Sequence, residues 1–390
     1  MRKIIALMLT VALATGLLGL AAGPAVADEG VPVWAADFMA GSTSPSRDRA
    51  VTQATHFVVI AALKGTYADH VPAMKAANPD LVLLVYLNGT MAQAGEGSAF
   101  PNSWYLRDRH GNKVKSRGWG NYLMNPAEPG WRQAVADRCR AYLDDSGYDG
   151  CFLDVLGVAP LNSSYVTGLP VNPATRDVWR RSAWLRATTA VGQSTRDAVA
   201  PAPVFGNGLA TGSAYFGGST PSSTILDGLD GGMAESFVRE AYAGTGSFRS
   251  TTQWRQDVEL LRDVARRGSA GLAITKVWSS ASRRQTNAVQ RYAAATFLLG
   301  YTPGRSFYSF RDDHGLTQWR SVWGRRIGSP TGSYRRVGDS YVRTFSGGVV
   351  VVNPTGSKTR VRLGDSYLRG GGTVSRVTLR AHHASILVEA

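Results

Sequence analysis

The chain is poor in the residues that bind metals or carry thiol chemistry. Its 390 residues include six histidines and two cysteines, Cys139 and Cys151. The patterns CxxC, HExxH and His-x-His are absent, and the pair His382-His383 has no cysteine or carboxylate neighbours. The sequence therefore predicts no protein metal site and no cofactor.

Several other signals are also lacking. After residue 27 no stretch is long and apolar enough to span a bilayer. No basic run with interleaved aromatic residues indicates nucleic-acid binding. Acidic residues are scarce, with 28 against 43 Lys and Arg and a net charge of +15. This excess favours acidic polymers such as anionic glycans, or it is an arginine-rich composition spread over a solvated surface.

The N-terminus has the three parts of a secretory signal. Arg2 and Lys3 precede an apolar stretch at residues 4–20, and Ala25-Val26-Ala27 forms a small-residue cleavage site. We expect a signal peptide at residues 1–27, cleaved after Ala27, and a secreted mature chain. Retention of the apolar stretch as an anchor is the alternative.

Apolar runs alternate with segments of helical period along most of the chain. Eight candidate strands lie at residues 31–38, 56–62, 81–88, 148–154, 203–209, 231–237, 270–278 and 305–310. This alternation predicts a (β/α)8 barrel over residues 28–328. A doubly wound sheet is the alternative, but no glycine-rich phosphate turn follows an early strand. Short strands of period two then predict a small antiparallel β-sandwich at residues 329–390.

Polar residues stand at the ends of these candidate strands. The run Tyr148-Asp149-Gly150-Cys151-Phe152-Leu153-Asp154 ends on an aspartate, where a parallel barrel opens onto its active-site face. If Asp154 points inward, so does Phe152, because strand side chains alternate. The same alternation predicts that apolar inward residues on other strands, such as Val33 and Ala35 on the first, lead to polar ones. These polar residues are Asp37, Asn88, Asn207, Glu235 and Lys276.

The two cysteines support this register. Cys139 lies on the apolar face of the helix preceding the Asp154 strand, and Cys151 lies on the strand face turned towards the helices. Their heights on facing elements match, which favours a disulfide. Two reduced core cysteines would place the residues in the same way.

The predicted ring of polar residues suits glycosidic bond cleavage, which needs one protonated and one ionised carboxyl group. We expect Asp154 to be nucleophile or general base and Glu235 general acid. Lys276 would keep one carboxylate ionised, while Met233 and Phe237 would keep the other protonated. The acids that compete with Glu235 are Asp37, Asp230, Glu240 and Asp312. Asp37, Tyr86, Asn88, Asn207 and Lys276 are predicted to bind the sugar.

A long segment, residues 90–129, follows the third strand. Residues 104–107 and 113–115 are predicted to pair as a hairpin through the turn at 108–112. The aromatic residues Trp104, Tyr105, Trp119 and Tyr122 argue against disorder. One or two of them, with Trp104 and Trp119 as candidates, are predicted to stack on sugar rings. The alternative is that they pack on the barrel rim.

These motifs resemble a family of secreted bacterial barrels, the hypothetical glycosyl hydrolase family 15, and more distantly endo-α-1,4-polygalactosaminidase-type barrels. The resemblance is carried by the Asp154 strand, by Trp104-Tyr105-Leu106-Arg107-Asp108 with Gly111-Asn112, and by Asn125-Pro126 before Trp131-Arg132. Residues 350–354 resemble the C-terminal sandwich found beside glycosidase barrels. The resemblance implies a retaining or inverting glycosidase with Asp154 as one carboxylate.

The sequence thus predicts a secreted, monomeric glycoside hydrolase whose partner is a polysaccharide or exopolysaccharide. A glycan-binding barrel at the cell wall that has lost catalysis is the first alternative. A secreted phosphodiesterase or esterase is the second, and the lack of a histidine or metal constellation argues against it.

Overall fold

Eight parallel strands form a barrel in the computed structural model, which describes residues 30–390. Each strand pairs with its neighbours in chain order, and a parallel bridge between Val33 and Tyr308 joins the first strand to the last. The predicted signal peptide lies outside the described residues. The barrel strands are β1 (Trp34–Ala36), β2 (Val59–Ala62), β3 (Val82–Asn88), β6 (Gly150–Asp154), β7 (Val204–Asn207), β8 (Gly231–Ala234), β9 (Ala270–Lys276) and β10 (Ser306–Arg311).

Helices cover the outside of the barrel. Two of the longer ones start at serine caps: the Ser250 and Ser282 hydroxyls accept from the backbone N–H groups of Gln253 and Gln285. The helices of the described part are α1 (Arg47–His56), α2 (Lys64–Tyr67), α3 (Val71–Ala77), α4 (Pro129–Ser146), α5 (Arg181–Val199), α6 (Gly212–Phe216), α7 (Thr251–Arg266) and α8 (Arg283–Gly300). None of them is long and apolar enough to cross a membrane.

The barrel interior confirms the predicted alternation on five strands. Leu84, Phe152, Phe205, Met233 and Leu272 pack in one interior cluster. On β1 the prediction is wrong, because Trp34 and Ala36 point inward while Val33 and Ala35 pack against the helix layer. Trp34 fixes this register by donating a 3.0 Å hydrogen bond from Nε1 to the Ala273 carbonyl.

The predicted disulfide is confirmed and ties a helix to a barrel strand. Cys139 of α4 is bonded to Cys151 of β6, with 6.2 Å between their Cα atoms. Both residues are fully buried between the strand and the helix layer. Cys151 therefore faces outward, and Phe152 and Asp154 face the barrel axis.

The long segment after β3 is folded onto the active-site face. It contains β4 (Met91–Ala92) and β5 (Tyr122–Leu123), which pair antiparallel. The predicted hairpin is present, since Arg107 bridges Lys113 and the Val114 N–H donates to the Leu106 carbonyl.

The C-terminal part is an antiparallel sheet, as predicted, although its strands form one continuous sheet of six. The strands are β11 (Arg335–Val337), β12 (Ser340–Phe345), β13 (Gly348–Asn353), β14 (Thr359–Arg369), β15 (Gly372–Leu379) and β16 (His383–Glu389), in the order β11-β12-β13-β16-β14-β15. β14 is long and its register shifts between Arg362 and Tyr367, so it pairs with both β15 and β16. Val350, Val352 and Ile386 pack into the barrel's helix layer. The predicted boundary after residue 328 falls between β10 and β11.

Candidate active site

The carboxyl ends of five barrel strands bring together most of the predicted site residues. Asn88 ends β3, and its register partner Asp154 ends β6. Asn207 and Lys276 are the last residues of β7 and β9, and Glu235 follows β8 directly. Because these strands run parallel, all five side chains lie at the end of the barrel where this fold holds its active sites.

One amide links the two predicted carboxylates. Asn207 Nδ2 donates to Asp154 Oδ1 at 2.9 Å and to Glu235 Oε2 at 2.8 Å. The sum of these distances, about 5.7 Å, is therefore the upper limit for the separation of the two oxygens. Asp154 and Glu235 form a close pair within a single hydrogen-bond network.

Each carboxylate has its own further partners. Asp154 Oδ2 accepts from the Tyr86 hydroxyl at 2.7 Å, and its Oδ1 also accepts from the Val155 N–H at 2.8 Å. Glu235 Oε1 accepts from Lys276 Nζ at 2.7 Å. The Lys276 side chain is 6% exposed and that of Glu235 38%, so the ion pair is partly shielded from water.

The environments push the two pKa values apart. Burial, followed by the negative charge of Glu235, raises the pKa of Asp154 above its ordinary value. Burial also opposes ionisation of Glu235, but the Lys276 charge and the hydrogen bonds from Lys276 and Asn207 outweigh it. They hold the pKa of Glu235 below its ordinary value.

The hydrogen-bond geometry agrees with these directions. Both oxygens of Glu235 accept from N–H donors that cannot reverse, so a proton on Glu235 would break a contact. Asp154 Oδ2 faces a hydroxyl, and a protonated Asp154 keeps that contact by donating to Tyr86 instead. Of the two acids, Asp154 is therefore the one that binds a proton more readily, and Glu235 is the one that ionises more readily.

Strained backbone follows the two strands that carry the acids. Val155 and Val238 have φ of 62° and 61°, in the left-handed region that β-branched residues rarely adopt. Each such conformation costs on the order of 1–3 kcal/mol and needs compensating contacts. The Val155 N–H binds Asp154, and the Val238 N–H donates to buried Asp257 at 3.0 Å. These contacts fix the segments on either side of the pair.

The pair lies in a cleft of about 1220 Å³. Its lining includes the predicted residues Tyr86, Asn88, Asn207 and Trp119. Trp119, on the long segment after β3, is 76% exposed. The described lining also includes aromatic residues that the sequence reasoning missed: Phe38, Tyr165, Tyr242 and Trp278. Trp278 lies two residues after Lys276 on the same chain segment. Because side chains two residues apart on a strand face the same side, this spacing could have pointed to Trp278.

Three predicted sugar-binding residues do not line the described cleft: Lys276, which contacts Glu235 instead, Asp37 and Trp104. Asp37 is fully buried beside α1, where it accepts hydrogen bonds from the Tyr67 hydroxyl at 2.6 Å and the Thr317 N–H at 2.7 Å. It stabilises the junction of the first and last strands. Trp104 packs over Gly130 at the start of α4, where an added Cβ would come within 2.1 Å of its ring.

The acids that competed with Glu235 have structural partners elsewhere. Asp230 accepts from the N–H of Val204, the first residue of β7. Glu240 pairs with Arg249 at 2.6 Å, and Asp312 pairs with Arg320. None of these three, nor Asp37, lines the described cleft.

The site and barrel define the class: a (β/α)8 barrel with a carboxylate pair in an aromatic cleft at the carboxyl ends of its strands. The family model of the hypothetical glycosyl hydrolase family 15 matches residues 75–349. The chain belongs to this family, which makes it a glycoside hydrolase and confirms the resemblance seen in the sequence.

Solved structures similar to this chain include two that share its fold with TM-scores above 0.5. The isomaltulose synthase from Klebsiella sp. LX3 aligns with a TM-score of 0.54 at 12% identity, covering 94% of this chain and 100% of that one. A maltogenic α-amylase from Thermotoga neapolitana aligns with a TM-score of 0.52 at 11% identity, covering 92% and 98%. The glycoside hydrolase domain of PelA from Pseudomonas aeruginosa aligns at 0.47 and 15% identity, covering 73% and 96%. No curated protein matches the sequence.

Proposed function

We propose that this protein is a secreted glycoside hydrolase that cleaves a polysaccharide or exopolysaccharide with Asp154 and Glu235. The observation that carries the proposal is the bridge from Asn207 Nδ2 to both carboxylates inside the cleft. The Cys139–Cys151 disulfide supports the extracellular part, because such bonds persist in oxidising compartments.

The spacing of the pair favours retention of anomeric configuration. Retaining glycosidases hold their carboxyl groups about 5–5.5 Å apart, whereas inverting enzymes need about 6.5–9.5 Å to admit a water molecule. The 5.7 Å upper limit for the two bridged oxygens of Asp154 and Glu235 fits the closer class. The proposed mechanism therefore includes a covalent glycosyl-enzyme intermediate.

The electrostatics divide the roles within the pair. Glu235, kept ionised by Lys276, attacks the anomeric carbon and forms an ester as the glycosidic C–O bond breaks. Asp154 gives its proton to the leaving oxygen. Asp154, now ionised, then takes a proton from the water that cleaves the ester, and both groups return to their starting states.

The cleft supports a polymeric substrate. Its volume of about 1220 Å³ exceeds the upper end of the range for ordinary small-molecule sites, about 1000 Å³. Trp119 and Tyr242, 76% and 73% exposed, offer ring faces to the C–H surfaces of sugars.

A reducing-end screen tests the proposal. The mature protein is incubated with neutral, amino-sugar and uronate polymers beside its Asp154→Asn and Glu235→Gln variants. We expect cleavage of at least one polymer class by the wild type and a loss of about 10³-fold or more in the Glu235→Gln variant. We expect a loss of about 10²- to 10⁴-fold in the Asp154→Asn variant, whose role is proton transfer.

The competing acids provide matched controls. Glu240→Gln and Asp312→Asn each remove one carboxylate that does not line the described cleft, and both should retain most of the activity. Circular dichroism checks that every variant is folded. Polymer binding without any release of reducing ends would instead identify a glycan-binding barrel, and full activity in either pair variant would remove that residue from the assignment.

A further inference from the structure

A second concave site lies between the barrel and the C-terminal sheet. It is a groove of about 570 Å³, and it shares no described lining residue with the catalytic cleft. Arg291 of α8 and Arg325 line it from the barrel side, while Arg369 and Arg380 line it from the end of β14 and the residue after β15. Two parts of the fold therefore contribute positive charge to one groove, which we call the arginine groove.

The charges of the arginine groove are not neutralised by the protein. Its four arginines are exposed and take part in no ion pair within the described part of the chain. Exposed His383 also lines the groove, and no Asp or Glu does so within residues 30–390. A concave surface lined by one sign of charge concentrates ligands of the opposite sign.

The charge is concentrated in this part of the sequence. Residues 329–390 contain nine Lys and Arg against three Asp and Glu, a net charge of +6 in 62 residues. The whole chain carries +15 in 390 residues. The C-terminal sheet therefore has more than twice the average density of positive charge, which does not fit an even spread over a solvated surface.

The rest of the lining favours a sugar polymer over a nucleic acid. No Phe, Tyr or Trp lines the described groove, whereas single-stranded nucleic acids are held by bases stacked on aromatic rings. Aliphatic side chains form part of the surface, including Leu368, which is 48% exposed. Such side chains suit the C–H faces of sugar rings, and arginine forks suit carboxylates.

We propose that the arginine groove binds an anionic polysaccharide bearing repeated carboxylate groups, as a site separate from the catalytic cleft. The arginines pair with the carboxylates, and the aliphatic side chains contact the rings between them. The arginine groove holds the enzyme on an acidic glycan, whether the enzyme cleaves that polymer or a neighbouring one. This proposal does not depend on the roles assigned to Asp154 and Glu235.

Binding of polygalacturonate by the full mature chain tests the proposal. All measurements use an Asp154→Asn background, so that the probe is not cut. We expect the triple variant Arg291→Ser, Arg369→Ser, Arg380→Ser to bind about tenfold more weakly or worse. Binding by the parent should weaken as ionic strength rises, because salt screens exposed charges.

A matched triple variant controls for net charge. Arg47, Arg49 and Arg255 are exposed arginines on α1 and α7 and are distant in sequence from the groove. Their replacement by Ser removes the same charge and should leave affinity unchanged. Equal weakening in both triple variants, no weakening in the groove variant, or equal affinity for the neutral methyl ester of the probe would overturn the proposal. Tighter binding of duplex DNA through the same arginines would contradict the sugar-polymer assignment.

Discussion

At the scale of single residues, Asn207 and Lys276 decide how the two acids differ. Asn207 contacts both carboxylates through one nitrogen, whereas Lys276 contacts only Glu235. Because consecutive barrel strands are neighbours, a cation at the end of β9 lies next to the acid that follows β8. The order of the strands in the sequence already implied that Lys276 is a neighbour of Glu235. The roles predicted for Asp154 and Glu235 did not take this proximity into account.

The role of each acid is tested with substrates that differ in leaving group. An aryl glycoside with an acidic phenol needs no proton from the enzyme. The Asp154→Asn variant should therefore retain a rapid first release of dinitrophenol from a dinitrophenyl glycoside, because only the later cleavage of the ester needs Asp154 as a base, while it loses cleavage of the polymer. Glu235→Gln should lose both activities, measured as initial rates. The opposite pattern would restore the roles predicted from the sequence.

Removal of the Lys276 charge should change the pH profile. The proposed mechanism needs ionised Glu235, so it predicts that the rate falls as pH drops through the pKa of that group. Without the cation, only the hydrogen bond from Asn207 still opposes the effect of burial, so this pKa rises. The Lys276→Met variant should therefore move the acidic limb of kcat/KM upward by about one pH unit or more.

The control for this measurement is Lys113→Met. Lys113 lies over the Tyr105 ring in the segment after β3, away from both carboxylates. Its replacement should leave the profile unchanged. An acidic limb that stays in place in Lys276→Met, with movement of the alkaline limb instead, would mean that Glu235 works in its protonated form.

At the scale of elements, β12 supports the end of α8. The Arg343 guanidinium donates from Nη1 to the carbonyls of Leu298, Leu299 and Tyr301 at 2.9, 3.1 and 2.7 Å. These carbonyls lie at the C-terminal end of α8, where the helix leaves acceptors unpaired and the dipole favours a cation. Burial lowers the pKa of Arg343 to about 10, so it remains charged at neutral pH.

Replacement of Arg343 by Met should therefore destabilise the protein. The variant keeps an apolar stem but leaves the carbonyls without their charged donor, which costs about 2–4 kcal/mol in free energy of unfolding. Urea unfolding with linear extrapolation measures the change. Arg360→Met, on the exposed side of β14, is the control and should change stability little. Equal stabilities of the two variants would show that Arg343 does not support α8.

The elements also show where sequence reasoning works and where it stops. Alternation placed Tyr86, Asn88, Asn207 and Glu235 correctly, because apolar and polar inward residues on their strands differ clearly. In β1 the run Trp34-Ala35-Ala36 is apolar on both faces and gave no such contrast. Trp104 is aromatic like Trp119, and only the fold shows that one packs on Gly130 while the other lines the cleft.

At the scale of the whole molecule, the barrel and the C-terminal sheet share one core. Val350, Val352 and Ile386 belong to the same buried cluster as the barrel helices. The sheet was predictable from its short strands and turns. That its strands form one continuous sheet was not predictable, because β14 pairs with both β15 and β16 through a register shift. The arginine groove arises from the same docking, since it needs residues from both parts.

The central claim is that a close pair, Asp154 and Glu235, cleaves a glycan with retention. Proton NMR of the first product formed from a cleaved polymer measures its anomeric configuration directly. We predict that the product keeps the configuration of the substrate linkage and that Glu235→Gln forms none of it. An inverted first product, or equal product formation by Glu235→Gln, would contradict the account.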